Sequence, residues 1–534
     1  MISRRRAYWL AAGLLFAAFL LLDIGSVQRL TATYDEAGHY GYGQLLVEGR
    51  FERVHNSKMP FSVLNVLPAV VAKHLPAGRV ARRLGKFETG RYPTIFFSLV
   101  VAAYVLRWAT VLYGMEAGLL ALFLYAFDPN ILAHSQLITT ELYATGMMTI
   151  ALYYFWRFLN RGGWRAATAS AFVLGLSQLA KYTSAYLYLI VGLIVMGRSA
   201  GTIGSLVGQR RFAALGHWLV RFIVLSLFFA VVSVIVINAG FLFSRTFVPL
   251  KDYRFKSDEF RAVQSSLARF PGLRVPLSHP YVFGLDWVFR DERRGNVTYL
   301  YGQQLGWTQK REYYPVVWLY KVPLTVHVLV LAAIIAYCRR RQRFDFWKNE
   351  WVLLCPIVFF LWYFIFVFKI QKGLRYTLIM FPLVYIFTSS VLHEPRRLGR
   401  WARVAVAGLV AFQIGSVVSY YPHFLAYFNE LVGDRKLAYR IVVDSNLDWG
   451  QADWYRERWL RRHPEAIFEP DEPESGTIVV RVNYLAGLFQ TEKFRWLREN
   501  FRPVDHIGYA NLVYRVSPED LARLRASGAL ERKD

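Results

Sequence analysis

The sequence predicts a mainly α-helical, polytopic membrane protein that carries a small soluble α/β domain at its C-terminal end. The chain has 534 residues, of which 55% are hydrophobic and 17% aromatic, and its mean hydropathy is positive. Soluble globular proteins rarely combine these values at this length. Apolar runs of roughly 20 residues, long enough to cross a bilayer as helices, recur along most of the chain.

The distribution of charge predicts the orientation of the chain in the membrane. The formal net charge is +27, which in a soluble protein would suggest nucleic-acid binding. Here the arginines cluster between apolar runs, a pattern typical of cytoplasmic loops and of contact with anionic lipid. The two cysteines, Cys338 and Cys355, indicate no disulfide framework.

The N-terminal segment is interpreted as a retained first span. Arg4-Arg5-Arg6 precedes an apolar run from Tyr8 to Leu22, as in a signal peptide. No small-residue cleavage site follows before Asp35. The N-terminus is therefore predicted to lie in the cytoplasm.

About eleven membrane spans are predicted, with the C-terminus outside the cytoplasm. A re-entrant hairpin around Lys181 is the alternative for the two short segments that flank it. The spans cover approximately residues 8–22, 93–112, 115–127, 137–158, 167–179, 185–196, 218–241, 316–337, 351–368, 374–392 and 403–420.

The domain organisation follows from the point at which the apolar runs stop. Residues 1–420 are predicted to form the membrane domain. It includes a first outer loop at residues 23–92 and a large outer loop, rich in proline and aromatic residues, at 243–315. Residues 421–534 are predicted to form the extracytoplasmic α/β domain.

Three elements are predicted within this C-terminal domain. Residues 477–482 and 512–516 are rich in β-branched residues and favour strands. Ser517 is expected to cap a terminal helix whose first residue is Pro518.

A dense polar cluster follows the first span. If the stretch is helical, Asp35 and Glu36 share a face with His39, because the spacings are four and three residues. A carboxylate beside an imidazole can serve as a general base with its partner. The Glu-x-x-His spacing also suits metal ligands. A helix cap with interfacial polar residues is an equally open interpretation.

A second polar cluster precedes the span at 137–158. It contains Asp128-Pro129-Asn130, His134, Gln136 and Glu141. A turn followed by a helix cap explains part of it, since a carboxylate in a first turn complements the helix dipole. That interpretation leaves the concentration of His134, Gln136 and Glu141 unexplained.

A third group consists of outward-facing cations. Cations at the ends of spans suit a lipid-linked phosphate, and arginine offers a bidentate fork. The alternative is a long side chain that reaches the headgroup level, which we favour for Lys369 and Lys372. For Arg375 both interpretations stay open. The group comprises Lys181, Lys321, Lys369, Lys372 and Arg375.

The motifs of two common classes of site are absent from the sequence. The sequence contains no GxxxxGK[ST] run and no GxGxxG after a predicted strand, so a nucleotide-sugar donor is not expected. It also contains no GxSxG signature of a serine hydrolase.

Several segments together resemble a known family. Asp35 to Gly41, with one residue inserted before the histidine, is similar to the Asp-Glu-x-His-Phe-Gly loop of protein O-mannosyltransferases. Residues 128–134 leading to Glu141 resemble the second acidic loop of these enzymes. The chain is thus identified as similar to bacterial glycosyltransferase family 39, within the GT-C superfamily. Further similar segments are His55 and Pro60, 175–183, 321–323, Arg375-Tyr376, 421–423, 427–433 and 444–451.

This resemblance implies an inverting transfer of a sugar from a polyprenyl-phosphate donor to a hydroxyl of a glycan, lipid or protein acceptor. The reaction would take place on the outer face of a bacterial inner membrane. Asp35 would be the general base, Glu36 would assist it, and Glu141 would be the second acidic residue. Glu36, His39 and Glu141 would be the candidate ligands of a divalent metal.

The resemblance also implies a set of substrate-binding residues, in which Lys181 and Arg375 would contact the donor phosphate. A transporter or flippase for lipid-linked sugars is the alternative function, because charged residues within the membrane serve transporters too. A non-catalytic sugar-binding protein is a third possibility. The implied substrate-binding residues are His39, His55, Asp128, His134, Lys181, Lys321, Arg375, Tyr376 and His423.

Overall fold

The computed structural model describes residues 4–50, 57–339, 345–393, 399–489 and 493–527. The first half of these residues is almost entirely helical. Its helices are α1 (Arg4–Val27), α2 (Glu36–Val47), α3 (Ser62–Lys73), α4 (Arg79–Leu84), α5 (Tyr92–Tyr113), α6 (Met115–Ala126), α7 (Pro129–Ser135), α8 (Glu141–Arg161), α9 (Trp164–Ser177), α10 (Tyr186–Gly208) and α11 (Phe212–Gly240).

The second half combines helices with six short strands. The helices are α12 (Asp258–Ser266), α13 (His279–Arg294), α14 (Tyr313–Lys321), α15 (Leu324–Arg339), α16 (Glu350–Phe366), α17 (Phe381–Thr388), α18 (Arg400–Val418), α19 (Asp453–Arg462), α20 (Val482–Leu485), α21 (Arg495–Asn500) and α22 (Pro518–Ala526). The strands are β1 (Tyr299–Leu300), β2 (Gln303–Gln304), β3 (Ile467–Phe468), β4 (Gly476–Arg481), β5 (Asp505–Ile507) and β6 (Asn511–Val516).

The chain is a multi-pass membrane protein. In the described ranges, 6 helical segments are long and apolar enough to cross a membrane, and counting each of two bent helix pairs as one span gives 8. The bent pairs are α6 with α7, at 62°, and α14 with α15, at 107°. Pro129 and Pro323 lie at the two breaks. Each interrupts the helix because proline has no backbone N–H to continue the hydrogen-bond ladder.

All eleven predicted spans overlap helices, but 316–337 crosses the sharp bend between α14 and α15, and not all of them are long and apolar enough to be spans. Helix α9, with 14 residues, and α16, with 17, are shorter than the bilayer requires on their own. Helix α8 has 21 residues but is less apolar than the spans. The mainly helical membrane fold is confirmed, and the count of eleven stays a prediction.

The segment Leu374–Leu392, which contains α17, lies at the centre of the helical bundle. It is 89% buried, whereas the other candidate single spans are less than half buried. Helices α15 and α16 pack against α17, and α8 packs against the residues that precede it. The N-terminal end of this central segment carries Arg375, so the side chain is held by a rigid support.

The C-terminal residues form a four-stranded sheet in the order β3-β4-β6-β5. Strands β4 and β6 are antiparallel, with Val479 opposite Val513, and they match the two predicted strands. Ser517 accepts a hydrogen bond from the backbone N–H of Asp520, at 3.0 Å, so the predicted cap of α22 is confirmed. Buried Ile478 of this sheet belongs to the same core as the membrane helices. The predicted domain boundary at residue 421 stays a prediction.

Candidate active site

Several distant parts of the chain meet around a cavity of about 630 Å³. They are the start of α2, the start of α8, the connection between α9 and α10, helix α13, and residues 368–376. The lining is unusually rich in charge for a site among membrane helices. The charged residues and the histidine that line it are Asp35, His39, Lys58, Glu141, Lys181, Arg290, Asp291, Glu292, Arg294, Lys372 and Arg375.

A buried ion pair holds the start of α2 in place. The carboxylate of Glu36 accepts hydrogen bonds from Nη2 and Nε of Arg91, both at 2.7 Å, and neither side chain exceeds 1% exposure. It also accepts from the backbone N–H groups of Thr33 and Ile138. Glu36 does not line the cavity. This geometry does not support its predicted catalytic role, and we interpret Glu36 as a residue that positions Asp35.

Asp35 faces the cavity and meets Arg375. The distance from Oδ2 of Asp35 to Nη1 of Arg375 is 3.1 Å, with exposures of 48% and 10%. Although Asp35 immediately precedes α2, its side chain makes no capping hydrogen bond. The alternative interpretation of Asp35 as a helix cap is therefore wrong. Its carboxylate is available to a ligand.

Arg375 is oriented by aromatic rings as well as by Asp35. Its guanidinium lies 4.1 Å from the ring centre of Trp449 and 5.3 Å from that of Tyr376. Stacking of this kind fixes the plane of the guanidinium. Within the described ranges, Nε of Arg375 has no hydrogen-bond partner. The side chain thus keeps a free donor at the site.

Glu141 and Lys181 form a second ion pair in the cavity. The distance between Oε1 of Glu141 and Nζ of Lys181 is 3.1 Å. The ammonium of Lys181 also lies 5.1 Å from the ring centre of Tyr376. Oε2 of Glu141 is buried and lacks a partner among the described residues. Tyr376 thus contacts two cations, Lys181 and Arg375, each of which has one carboxylate partner.

His39 lines the same cavity as the Glu141–Lys181 ion pair. Burial lowers its pKa to about 4, although the neighbouring charges of Glu141 and Asp35 oppose that shift. The imidazole is therefore neutral at physiological pH. Its Nδ1 has no partner in the part of the chain that the structure describes.

Helix α13 supplies Glu292, a residue that the sequence interpretation missed. Glu292 lines the cavity and accepts a hydrogen bond from the hydroxyl of Tyr363, at 2.6 Å. Burial raises the pKa of Glu292 to about 7. The exposed ring of Trp307, which also lines the cavity, lies 5.2 Å from the guanidinium of Arg294. The sequence signal for this helix is the amphipathic pattern of residues 279–294, which lie within the predicted outer loop.

The position of Lys372 in the structure differs from the sequence-based prediction. It lines the cavity, whereas the sequence favoured a side chain that reaches the headgroups. A residue far away in the chain holds this segment, because the hydroxyl of Ser445 donates to the backbone carbonyl of Lys372 at 2.9 Å.

Two predicted substrate-binding residues support the fold instead of lining the cavity. Asp128 caps α7 by accepting from the N–H groups of Asn130 and Ile131, and it also accepts from the hydroxyl of Tyr385. Nζ of Lys321 donates to the backbone carbonyls of Leu425 and Asn446, both at 2.7 Å. The turn predicted at Asp128-Pro129-Asn130 thus contains the cap of α7, whereas Thr140 makes no capping hydrogen bond. Neither Asp128 nor Lys321 is free to bind a substrate.

Two further predicted histidines, His134 and His423, also lie outside the cavity lining. His134 is buried against Trp449, with ring centres 6.1 Å apart, and does not line the cavity. His423 packs against Tyr455, at 4.7 Å, in the C-terminal part of the chain. Burial lowers the pKa of His423 to about 4. His55 lies outside the described residues.

The candidate metal ligands do not assemble. Glu36 is engaged by Arg91, away from the cavity where His39 and Glu141 lie. Across the described ranges, no group of three or more His, Cys, Asp and Glu residues has the arrangement of a metal site. These three residues therefore do not form the ligand set considered from their spacing.

The segment from Asp444 to Gln451 connects the two sides of the cavity. The side-chain oxygen of Asn446 accepts from the N–H of Leu374, at 3.0 Å, next to Arg375. The carbonyl of Trp449 accepts from the N–H of Tyr34, at 3.1 Å, next to Asp35. This loop thus fixes both partners of the Asp35–Arg375 ion pair.

Asp444 lies at the start of this loop in the left-handed backbone region, at φ +61°. Burial raises the pKa of its carboxyl, and the nearby guanidinium of Arg375 opposes the shift. Such a backbone conformation is costly for a residue other than glycine and is common at functional sites.

The fold and the cavity define a membrane-embedded protein with a charged site at one end of its helices. Residues 85–234 match the family of dolichyl-phosphate-mannose-protein mannosyltransferases. This match confirms, for that part of the chain, the resemblance predicted from the motifs. The matched range includes Arg91, Glu141 and Lys181.

Two solved structures are similar over much of the chain. One is ArnT from Cupriavidus metallidurans bound to undecaprenyl phosphate, with 13% identity, a TM-score of 0.46, and coverage of 95% of this chain and 97% of that chain. The other is the archaeal oligosaccharyltransferase AglB from Archaeoglobus fulgidus in complex with an inhibitory peptide and a dolichol-phosphate. It has 14% identity, a TM-score of 0.44, and coverage of 77% of this chain and 55% of that chain. No curated protein sequence matches at a significant level.

Proposed function

We propose that this protein is an integral-membrane glycosyltransferase that moves a sugar from a polyprenyl-phosphate donor to an acceptor hydroxyl at the extracytoplasmic face. One observation carries the proposal. A half-exposed carboxylate, Asp35, and two cations held on aromatic rings, Arg375 and Lys181, line the same cavity. A base and a phosphate-binding pair are what such a transfer requires.

The donor phosphate binds Arg375 and Lys181. Guanidinium and ammonium groups attract phosphate, and the unpartnered Nε of Arg375 provides a further donor. As the phosphate approaches, Arg375 exchanges part of its interaction with Asp35 for the phosphate oxygens. Asp35 is then free to accept a proton while it stays beside the reacting sugar.

Transfer proceeds as a single displacement. The acceptor hydroxyl gives its proton to the carboxylate of Asp35, and its oxygen bonds to the anomeric carbon. The bond between that carbon and the phosphate oxygen breaks, and its electron pair leaves with the polyprenyl phosphate. The two cations stabilise the added negative charge, and attack opposite to the leaving group inverts the anomeric centre.

The opposite end of the cavity suits the sugar or the acceptor. A carboxyl with a pKa near 7, on Glu292, both donates and accepts hydrogen bonds around neutral pH. The exposed ring of Trp307 offers a flat apolar face. Sugars present hydroxyls and apolar faces to their binding sites, so both features fit a glycan ligand.

The match with mannosyltransferases over residues 85–234 favours transfer over the alternative of transport. The decisive test is incubation of the purified protein with a panel of radiolabelled polyprenyl-phosphate sugars, with glycan, lipid and peptide acceptors supplied in separate reactions. We expect one donor to be hydrolysed or transferred, with the loss of that activity in Asp35→Asn. Asp258→Asn serves as the control, since this exposed side chain lies outside the cavity. Movement of intact donors across a vesicle membrane without cleavage would overturn the proposal.

A further inference from the structure

A second concentration of positive charge lies at the ends of α5 and α8 that point away from the active-site cavity. Two adjoining cavities, of about 550 and 340 Å³, share Tyr154 and Arg157 in their linings. Among the described residues, no aspartate or glutamate lines either one. We call their four arginines the distal arginine cluster: Arg107, Arg157, Arg161 and Arg165.

Aromatic residues hold two of these guanidinium groups in place. Nε of Arg107 donates to the hydroxyl of Tyr153, at 2.7 Å. The guanidinium of Arg157 lies 5.8 Å from the ring centres of both Tyr153 and Tyr154. Within the described ranges, none of the four arginines forms an ion pair with a carboxylate. Such groups retain their paired N–H donors, which match the oxygens of a phosphate.

The cluster lies far from the active-site cavity along the axis of α8. Glu141, the first residue of α8, lines that cavity, and Arg157 belongs to the same helix. At about 1.5 Å per residue, the two are separated by about 24 Å along the axis, close to the thickness of a bilayer core of about 30 Å. The exposed ring of Trp164, in the lining beside the arginines, has the amphipathic character of a membrane-interface anchor.

We propose that the distal arginine cluster binds the headgroup of an anionic phospholipid. A lipid with two phosphates, such as cardiolipin, fits best, because two adjoining cavities share Arg157 and each adds arginines of its own. Basic pockets between membrane helices are suited to such headgroups. Two glycines at the turn, Gly162 and Gly163, line the larger cavity with positive φ values of 69° and 84° and add no side chain to it.

The test is native mass spectrometry of the purified, delipidated full-length protein with added cardiolipin, phosphatidylglycerol or phosphatidylethanolamine. We expect the wild type to retain cardiolipin in preference to the other two. The double variant Arg157→Gln/Arg161→Gln should bind it about 30-fold less tightly, if each arginine contributes as basic residues near a charged membrane do. Arg211→Gln is the matched control, since this exposed arginine precedes α11 at the same end of the bundle and lines neither cavity.

The outcomes separate the possible ligands. Equal affinity of the wild type and the double variant for cardiolipin overturns the site. Equal retention of phosphatidylglycerol and cardiolipin supports a headgroup site but overturns occupancy by two phosphates. Displacement of cardiolipin by inorganic diphosphate at the same concentration overturns the assignment to lipid and supports a soluble phosphate. If the double variant is not monodisperse, the same measurement with Arg161→Gln decides, because that side chain is exposed.

Discussion

Asp35 and Arg375 are 340 positions apart in the chain, yet Oδ2 of the first lies 3.1 Å from Nη1 of the second. The pair combines the group proposed to take a proton with a group proposed to bind the donor phosphate. In the absence of donor, each partner orients the other. Substitution of either residue therefore tests the proposed mechanism directly.

Asp35→Asn should abolish sugar transfer while donor affinity is retained. The amide keeps the shape of the side chain but cannot accept the proton, and positioned general bases contribute roughly 10²- to 10⁴-fold to rates. The measurements are turnover with the active donor and binding of that donor at equilibrium. Full turnover by a correctly folded Asp35→Asn would assign the base to another group.

Arg375→Ala should weaken donor binding more than it slows the chemical step of bound donor. Loss of a charge-assisted hydrogen bond costs roughly 1.5–3 kcal/mol, or about 10- to 100-fold in affinity. Isothermal titration with the polyprenyl-phosphate sugar measures the change. Arg274→Ala, an exposed arginine outside the cavity, should leave the affinity unchanged. An unaltered affinity in Arg375→Ala would remove the phosphate role.

Arg91→Ala should lower thermal stability strongly. It leaves the carboxylate of Glu36 buried without its main partner, and breaking a buried ion pair costs about 3–5 kcal/mol. The paired change Arg91→Met with Glu36→Leu removes both charges and should recover much of the lost stability. Melting temperatures of the single and double variants in detergent test this. A Glu36→Gln variant with wild-type stability but no turnover would instead restore a direct catalytic role for Glu36.

Trp449→Ala should reduce donor affinity, whereas Trp449→Phe should retain most of it. The indole lies 4.1 Å from the guanidinium of Arg375. A partly desolvated cation–π contact is worth about 1–2 kcal/mol, which corresponds to about 5- to 30-fold in affinity. Equilibrium binding of the donor distinguishes the two variants. Equal losses in both would show that the fit of the indole, and not an aromatic face, orients Arg375.

Glu292 should make the folded protein less stable as the pH rises from about 4.5 to 7. Burial raises its pKa from 4.5 to about 7, so the folded state holds a proton that the unfolded chain has released. The stabilisation from this proton is complete below the pKa of Glu292 in the unfolded chain. It is lost as the pH rises through the pKa of Glu292 in the folded protein. The slope contributed is at most about 1.4 kcal/mol per pH unit. Melting curves against pH should show a weaker slope in Glu292→Gln; an identical slope would contradict this assignment.

Local chemistry made much of the fold predictable. All eleven predicted apolar segments contain helix, because a helix satisfies its own backbone hydrogen bonds in an apolar environment. The cap at Ser517 and the strands around 477–482 and 512–516 also follow from nearby residues. The outer loop at 243–315 was less predictable, since α13 presents only one apolar face to the core and resembles an irregular polar stretch.

The sequence by itself determined the class of protein and the identity of several residues that line the site. Asp35, His39, Glu141, Lys181, Arg375 and Tyr376 were all predicted, and all of them line the cavity. Charged groups near membrane helices are costly and therefore conspicuous in an apolar sequence. Their residue types were sufficient to suggest a carboxylate base and a phosphate-binding pair.

Only the tertiary structure decided which of the charged residues face the cavity. Glu36 is adjacent to Asp35 but points to Arg91, and Lys321 binds backbone carbonyls instead of a ligand. Glu292 reaches the cavity from a helix whose sequence carries no motif. The direction of a side chain depends on partners that lie far away in the chain, and spacing along one segment contains no information about them.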